Sequence, residues 1–266
     1  MRAITGHTRI FGILADPIYH VKTPEVMNAL FERHGVDGVL IPFHVAPEGL
    51  AVLVDGLRRM QNFGGFIATV PHKPAMLALC DEVTFEAEQI GAVNCVRREA
   101  DGRMIGTMLD GIGFVEALRA SDIEPKGLRA YVAGAGGAAS AIAFALAAGG
   151  VSHLTIANRT VAKANELAGR LRTAFPGVTV ATEADSVKRH DLIVNGTSLG
   201  MRPEDLPPLD FSLIEARHIV AEAIMEPEMT PLLKAAEAKG CRIQRGKPML
   251  ESQIALMAKH MGGLPR

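Results

Sequence analysis

The chain has 266 residues, 48% hydrophobic and 21% charged, with 28 Lys+Arg against 29 Asp+Glu. That length holds one large or two ordinary domains, and the apolar fraction suffices for a buried core, which excludes a disordered or fibrous protein. A formal net charge of −1 leaves no electrostatic footprint for nucleic acid or an anionic membrane surface.

Apolar runs alternate with amphipathic stretches along most of the sequence. Arg9–Ala15 reads as a strand, Pro24–His34 as a helix, Val39–Val45 as a strand and Glu48–Met60 as a helix. Phe66–Val70 is a third strand, with a helix from about Pro74. Val93–Arg98 and Met104–Thr107 form a hairpin about the turn Ala100-Asp101-Gly102. The alternation then restarts with helix Phe114–Ala120, strand Leu128–Ala133, helix Ala138–Ala148, strand His153–Ala157 and helix Ala162–Phe175. Strands Val178–Ala181, Leu192–Asn195 and Ile219–Glu222 follow, then helices Pro231–Lys239 and Met249–Met261. The pattern predicts an α/β protein with parallel sheets built from βαβ units. A boundary is placed where Asp110-Gly111 opens a linking helix, giving a first domain over residues 1–109 and a second over 110–244. The final helix, within 245–266, is expected to pack back on the first domain.

Three scattered cysteines, Cys80, Cys95 and Cys241, are too few for a disulfide framework or a zinc site and read as small buried hydrophobes in a reducing cytoplasm. The chain carries 27 glycines, no Trp and two Tyr. Aromatic side chains dominate protein–protein hot spots, whereas glycine serves tight turns and close backbone approach to ligands. The composition therefore favours a small-molecule enzyme over a binding module; a monomer or homodimer is the expectation. No secretory signal is expected, because Asp16 and Pro17 end the first apolar stretch. Ala130–Ser152 lacks charge over a membrane-spanning length, but its glycines divide it into a strand, a turn and a helix of a soluble sheet.

That turn carries the first functional motif. Leu128–Ala133 runs into Gly134-Ala135-Gly136-Gly137-Ala138-Ala139 and then a helix, the G-x-G-x-x-A form of the dinucleotide fingerprint. Gly134 permits the tight turn, Gly136 lets the backbone approach the pyrophosphate, and Ala139 keeps helix and strand close. The helix N-terminus presents free N–H groups to the phosphates. After the next strand, where an NAD site places Asp or Glu on the ribose, the chain has Asn158-Arg159-Thr160 and then Lys163. A carboxylate would repel a 2′-phosphate, whereas Arg159 and Lys163 can pair with it and Asn158 or Thr160 can hydrogen-bond it. NADP is the expected cofactor, with NAD the alternative; read without a ligand, both cations are solvated surface charges.

The first half contains Thr69-Val70-Pro71-His72-Lys73, Gly91-Ala92-Val93-Asn94 and Asp110-Gly111-Ile112-Gly113. With the glycine turn, Asn158-Arg159-Thr160, Asn195-Gly196-Thr197-Ser198-Leu199-Gly200 and Gln253, this order resembles the shikimate dehydrogenase family from Gly12 to Gln253. The resemblance implies a substrate domain followed by a Rossmann-type domain, and reversible reduction of 3-dehydroshikimate with NADPH. It implies Lys73 and Asp110 as the catalytic pair. Thr69, Asn94 and Gln253 become contacts to substrate hydroxyls, and Thr23 one of two hydroxyl residues on the substrate carboxylate. Asn195, Thr197 and Ser198 join the cofactor loop. The chemistry fits independently: reducing a ketone leaves an oxyanion that needs a proton, which a lysine can donate and take back while a carboxylate orients it. On the residues alone, Lys73 also reads as a solvated end-of-strand cation and Asp110 as a helix N-cap. Asn94 and Gln253 also read as core amides, and His20 and His72 as structural.

Several positions depart from the family pattern. Val21 replaces the first carboxylate-binding serine, Ile67 an asparagine, and Met108-Leu109 an Asn-Thr pair. Met225 stands in place of a substrate-contacting tyrosine, and Glu222 in place of an aspartate. Lost hydrogen bonds cost about 0.5–1.5 kcal/mol each, so the departures point to a divergent member acting on quinate, an aminoshikimate or another hydroxy acid. Two rivals stand beside this: a non-catalytic nucleotide-sensing protein, and a folate-type dehydrogenase of related fold.

Overall fold

Burial along Arg9–Ala15 (β1) runs unbroken from Phe11 to Ala15, as a strand covered on both faces requires. The computed structural model describes residues 3–19, 21–182 and 187–265, so His20 lies outside the described residues. β1 pairs in parallel with Gly38–His44 (β2) on one side and Phe63–Ala68 (β3) on the other. Beyond β3 come Cys95–Arg98 (β5), Met104–Thr107 (β6) and the two-residue strand Glu82–Val83 (β4), giving the sheet order β2-β1-β3-β5-β6-β4. Both β3–β5 and β5–β6 pair antiparallel, so this sheet is mixed rather than parallel throughout. The β5–β6 hairpin returns the chain locally and reverses the strand direction without a helical crossover.

Helix α1 (Thr23–Arg33) lays Met27 and Phe31 on this sheet, with the Phe31 ring 5.1 Å from that of Phe11. From the same helix, Asn28 donates its amide to the Leu40 carbonyl (2.9 Å) and accepts from the Leu40 N–H (2.8 Å) on the outer side of β2. Helix α2 (Leu50–Arg58) buries Leu50, Val54 and Leu57. Two short helices follow, Met76–Leu79 (α3) and Phe85–Ile90 (α4), the latter capped by the Thr84 hydroxyl and closed by Gly91 in the left-handed region.

Helix α5 (Asp110–Ala120) opens the second unit. Its sheet is wholly parallel, built from Arg129–Ala133 (β7), His153–Ala157 (β8), Thr179–Ala181 (β9), Leu192–Asn195 (β10), Ile219–Glu222 (β11) and Arg242–Gln244 (β12). The order β12-β11-β10-β7-β8-β9 is doubly wound, with its topological switch between β7 and β10. The crossovers are Gly137–Ala148 (α6), Val161–Ala174 (α7) and Pro231–Ala238 (α8). The Ala-rich α6 presses close to α5, where a Cβ on Gly111 would run into the Ala141 carbonyl. With 12 residues, α6 is too short to cross a bilayer, and no described helix is long and apolar enough to do so.

The last helix, α9 (Lys247–His260), contributes Gln253 onward to the first unit. There His260 Nε2 lies 3.0 Å from the Ile105 carbonyl, and Met257 accepts a long contact from the Cys95 thiol (3.8 Å). By chain contacts the first unit comprises 1–109 and 253–266 and the second 110–252.

Candidate active site

In the mixed sheet, the candidate residues gather where β1 and β3 end and β5 begins. Thr69 N–H donates to the Leu14 carbonyl (3.0 Å), and Ala68 N–H to that of Asn94 (2.9 Å). Val93 N–H donates to the Lys73 carbonyl (2.9 Å), which brings the Lys73 turn beside Asn94. Lys73 and Thr69 are half-buried, whereas Asn94 is 1% exposed. The Asn94 side-chain oxygen accepts from Leu109 N–H (2.9 Å), the residue immediately before Asp110. Ligands of open α/β sheets collect at this carboxyl edge of parallel strands. His72 is buried with Nε2 2.9 Å from the Val45 carbonyl. At the same edge, His44 Nε2 stands 2.8 Å from Asp16 Oδ1, and the exposed Tyr19 ring meets the His44 ring edge-on at 5.3 Å.

Thr23 is buried at the first position of α1, while Val21 is half-buried in the loop before it. Gln253 is 6% exposed on α9, where Ile254 and Met257 are also buried, and its side-chain oxygen accepts no hydrogen bond among the described residues. An unanswered buried acceptor costs about 1–3 kcal/mol, so this position favours a hydroxyl or amine brought by a ligand. The departures from the family pattern sort into two groups. Ile67, Met108 and Leu109 are buried, Ile67 pairing with Ile13 and Cys95 in the sheet. Met225, at 45% exposed, presents apolar surface instead.

In the parallel sheet, the glycine turn follows β7. Gly134 has φ +115°, and a Cβ there would stand 3.0 Å from Ala139 Cβ and 3.1 Å from Thr197 Cγ2. Glycine is thus required on both counts, conformation and space. Gly136 and Gly137 differ: a Cβ on either would meet nothing within 4 Å, so their backbone faces open space. Gly136 caps α6 without a side-chain hydrogen bond, leaving the first-turn N–H groups of Gly137 and Ala138 to an anion. Ala135 lies within the turn. At the end of β8, Asn158 donates to the Thr160 carbonyl (3.0 Å), and Arg159, Thr160 and Lys163 are exposed. Neither cation makes an ion pair among the described residues, and no acid stands in the first turn of α7. This surface suits a phosphomonoester and offers no carboxylate for a bare ribose.

Asn195 is fully buried; its amide donates to the Leu199 carbonyl (3.0 Å) and to Glu222 Oε2 (3.1 Å). Its oxygen accepts from Thr197 N–H (3.0 Å) and Oγ1–H (2.7 Å). The side-chain amide of Asn195 is thus fully engaged within the protein and shapes the loop, whereas Ser198 is exposed. Glu222, noted in the sequence only as a replaced aspartate, is the hub of this network. Its Oε1 accepts from Ala223 N–H (3.0 Å) and Ile224 N–H (3.2 Å), and its Oε2 also from Thr230 Oγ1–H (2.9 Å). Burial pushes its carboxyl up to about 7, against the pull of those hydrogen bonds. Asn195 and Glu222 end neighbouring parallel strands and share a register. Among the described residues, no His/Cys/Asp/Glu group is arranged to hold a metal ion.

Residues 13–96 match the family described as "Shikimate dehydrogenase substrate binding domain", and residues 117–200 that described as "Shikimate / quinate 5-dehydrogenase". A shikimate dehydrogenase (NADP(+)) of Geobacter metallireducens is 40% identical over 259 residues, covering 94% of this chain and 90% of its own. The solved shikimate 5-dehydrogenase of Thermus thermophilus, in complex with NADP(H) and shikimate, superposes with TM-score 0.86 at 34% identity, covering 97% of this chain and 94% of its own. A 5-ketofructose reductase of Gluconobacter sp. superposes with TM-score 0.87 at 33% identity, over 97% of this chain and 94% of that one.

Proposed function

The chain belongs to the shikimate dehydrogenase family, and from that premise we propose that it interconverts shikimate, or a closely related cyclic hydroxy acid, with its C3 ketone using NADP. The observation that carries the reading is the convergence of Thr69, Lys73 and Asn94 on one strand edge, stitched by the Lys73–Val93 and Asn94–Ala68 backbone bonds. The buried acceptor on Gln253 adds to it, since a polyhydroxylated substrate supplies the missing donor.

When bound, NADPH supplies the two electrons and the hydrogen that reduce the carbonyl carbon. Lys73 then delivers a proton to the developing alkoxide and recovers it in the reverse direction, with Asp110 as the carboxylate that orients the amine. Thr69, Asn94 and Gln253 bind ring hydroxyls, and Thr23 binds the carboxylate. Gly134, Ala135, Gly136, Gly137 and Ala138 hold the pyrophosphate through backbone N–H groups. Asn158, Arg159, Thr160 and Lys163 hold the 2′-phosphate, and Thr197 and Ser198 complete the cofactor loop. On this reading residues 1–109 with the last helix bind substrate, and the intervening domain binds cofactor. We place the protein in the cytoplasm, as a monomer or homodimer, where the free thiols of Cys80, Cys95 and Cys241 stay reduced.

A second reading is favoured by the apolar Val21 and Met225, which supply no hydrogen bond where the family pattern has hydroxyls. It takes quinate, an aminoshikimate or another hydroxylated ketone as substrate, with NADP or NAD. Existence of a 5-ketofructose reductase on the same fold is in keeping with it. Steady-state rates on shikimate, quinate, aminoshikimate and fructose-type ketones with both cofactors decide. A kcat/KM for shikimate and NADP of about 10⁴ M⁻¹s⁻¹ or more supports the first reading, and a higher value on another substrate the second. NADP binding with no turnover on any of them overturns both in favour of a nucleotide-sensing protein.

A further inference from the structure

Glu222 is a buried acid that the proposed reaction leaves unused. Its carboxylate ties together three pieces of chain leaving the parallel sheet at one edge: the loop after β10 through Asn195, the segment after β11 through Ala223 and Ile224, and the start of α8 through Thr230. Thr230 is itself committed, its oxygen capping α8 at Leu233 N–H (3.3 Å). Asn195 passes the constraint on to Thr197 and Leu199, which closes Gly196–Leu199 into a tight loop. That loop is packed against the glycine turn without slack. A Cβ on Gly196 would stand 2.7 Å from Ala139 Cβ, and one on Gly134 3.2 Å from the Gly196 carbonyl carbon. In a region packed this closely, displacement of one loop displaces the other or opens a void.

We propose that Glu222 is a positioning residue for the cofactor: by fixing the Asn195 side chain it sets the Gly196–Leu199 loop against the Gly134–Ala139 turn, and so governs dinucleotide affinity without touching the dinucleotide. All four partners donate to the carboxylate, so its ionised, acceptor-only form, the one that prevails above about pH 7, matches them. A glutamine of the same shape would turn an NH₂ toward the Asn195 amide or the Thr230 hydroxyl. The inference rests on the reading of the β7–α6 turn as the cofactor site, and the experiment separates the two.

NADPH dissociation constants are measured by fluorescence titration for the wild type, Glu222→Gln, Thr230→Val and Thr230→Ser, alongside thermal unfolding and substrate KM at saturating NADP. Glu222→Gln and Thr230→Val are expected to weaken NADPH binding roughly tenfold, the loss of one hydrogen bond to a charged group. Thr230→Ser, which keeps the hydroxyl, restores wild-type affinity, and substrate KM moves by less than about twofold in every variant. NADPH affinity unchanged in both disruptive variants overturns the proposal, as does a parallel rise of cofactor Kd and substrate KM, which marks general loosening. If Glu222→Gln fails to fold, the Thr230→Val and Thr230→Ser pair discriminates in the same way. A wild type that binds no NADPH overturns the cofactor reading, and the positioning role falls with it.

Discussion

The two units differ in how they answer the buried polar side chains of their candidate sites. In the parallel sheet, Asn195 and Glu222 are answered within the protein, and the surface left for an anion is backbone at Gly136 and Gly137, flanked by the exposed side chains of Arg159 and Lys163. In the first unit, Gln253 keeps a buried oxygen unanswered, and the other candidate contacts, Thr23, Thr69 and Asn94, are side chains. A ligand held by main-chain groups tolerates replacement of many neighbours but no added Cβ in the turn. A ligand held by side chains can be exchanged for another by single substitutions. The contrast accounts for a glycine turn that fits the fingerprint in a chain whose other unit carries Val21.

Four measurements test how far this division holds. The largest effect belongs to Lys73→Ala, expected to lower kcat about a thousandfold, within the range of general acid–base catalysis, with NADPH affinity unchanged. Undiminished turnover would remove the chemistry from the mixed sheet. Next is the pH dependence that Glu222 imposes on stability. Its carboxyl rises from an ordinary 4.5 to about 7 on folding, so between those values the native protein binds more protons than the unfolded chain. Stability therefore falls as pH rises through that window, by on the order of 3 kcal/mol, while Glu222→Gln lacks this component. Urea unfolding of both proteins at pH 5 and pH 8 reads the difference, and a difference that does not change with pH refutes the assignment. Arg159→Ala should raise the KM for NADP about tenfold and that for NAD by less than twofold; equal changes would place the 2′-phosphate elsewhere. The smallest effect is a trade at Gln253. Gln253→Met should add about 1 kcal/mol of stability by removing the unanswered acceptor, while raising substrate KM severalfold. A loss of stability instead would show that the amide belongs to the core.

Strands with unbroken apolar runs were legible to the residue, as with Arg9–Ala15, Leu192–Asn195 and Ile219–Glu222. The third strand forms over Phe63–Ala68 rather than Phe66–Val70, because Gly64 and Gly65 interrupt the apolar signal but not the pairing, and Pro71 lies just past its end. The two-residue β4, the six-residue α4 and the three-residue β12 are too short to show a period. The mixed pairing of the first sheet was not legible either, since it depends on which strand the hairpin joins, a contact made far along the chain. At the site, the glycine turn could be read because its motif is contiguous. The Glu222 hub could not, because Asn195, Glu222 and Thr230 meet only after two strands have aligned.

Asn28 gives the first sheet a property unrelated to catalysis. By holding both the N–H and the carbonyl of Leu40, with Pro42 two residues on having no N–H to offer, it closes the outward row of β2 to a further strand. The border most open to templated aggregation is thereby sealed from within the same chain. Two copies of the protein are thus kept from joining their first sheets through paired β2 edges.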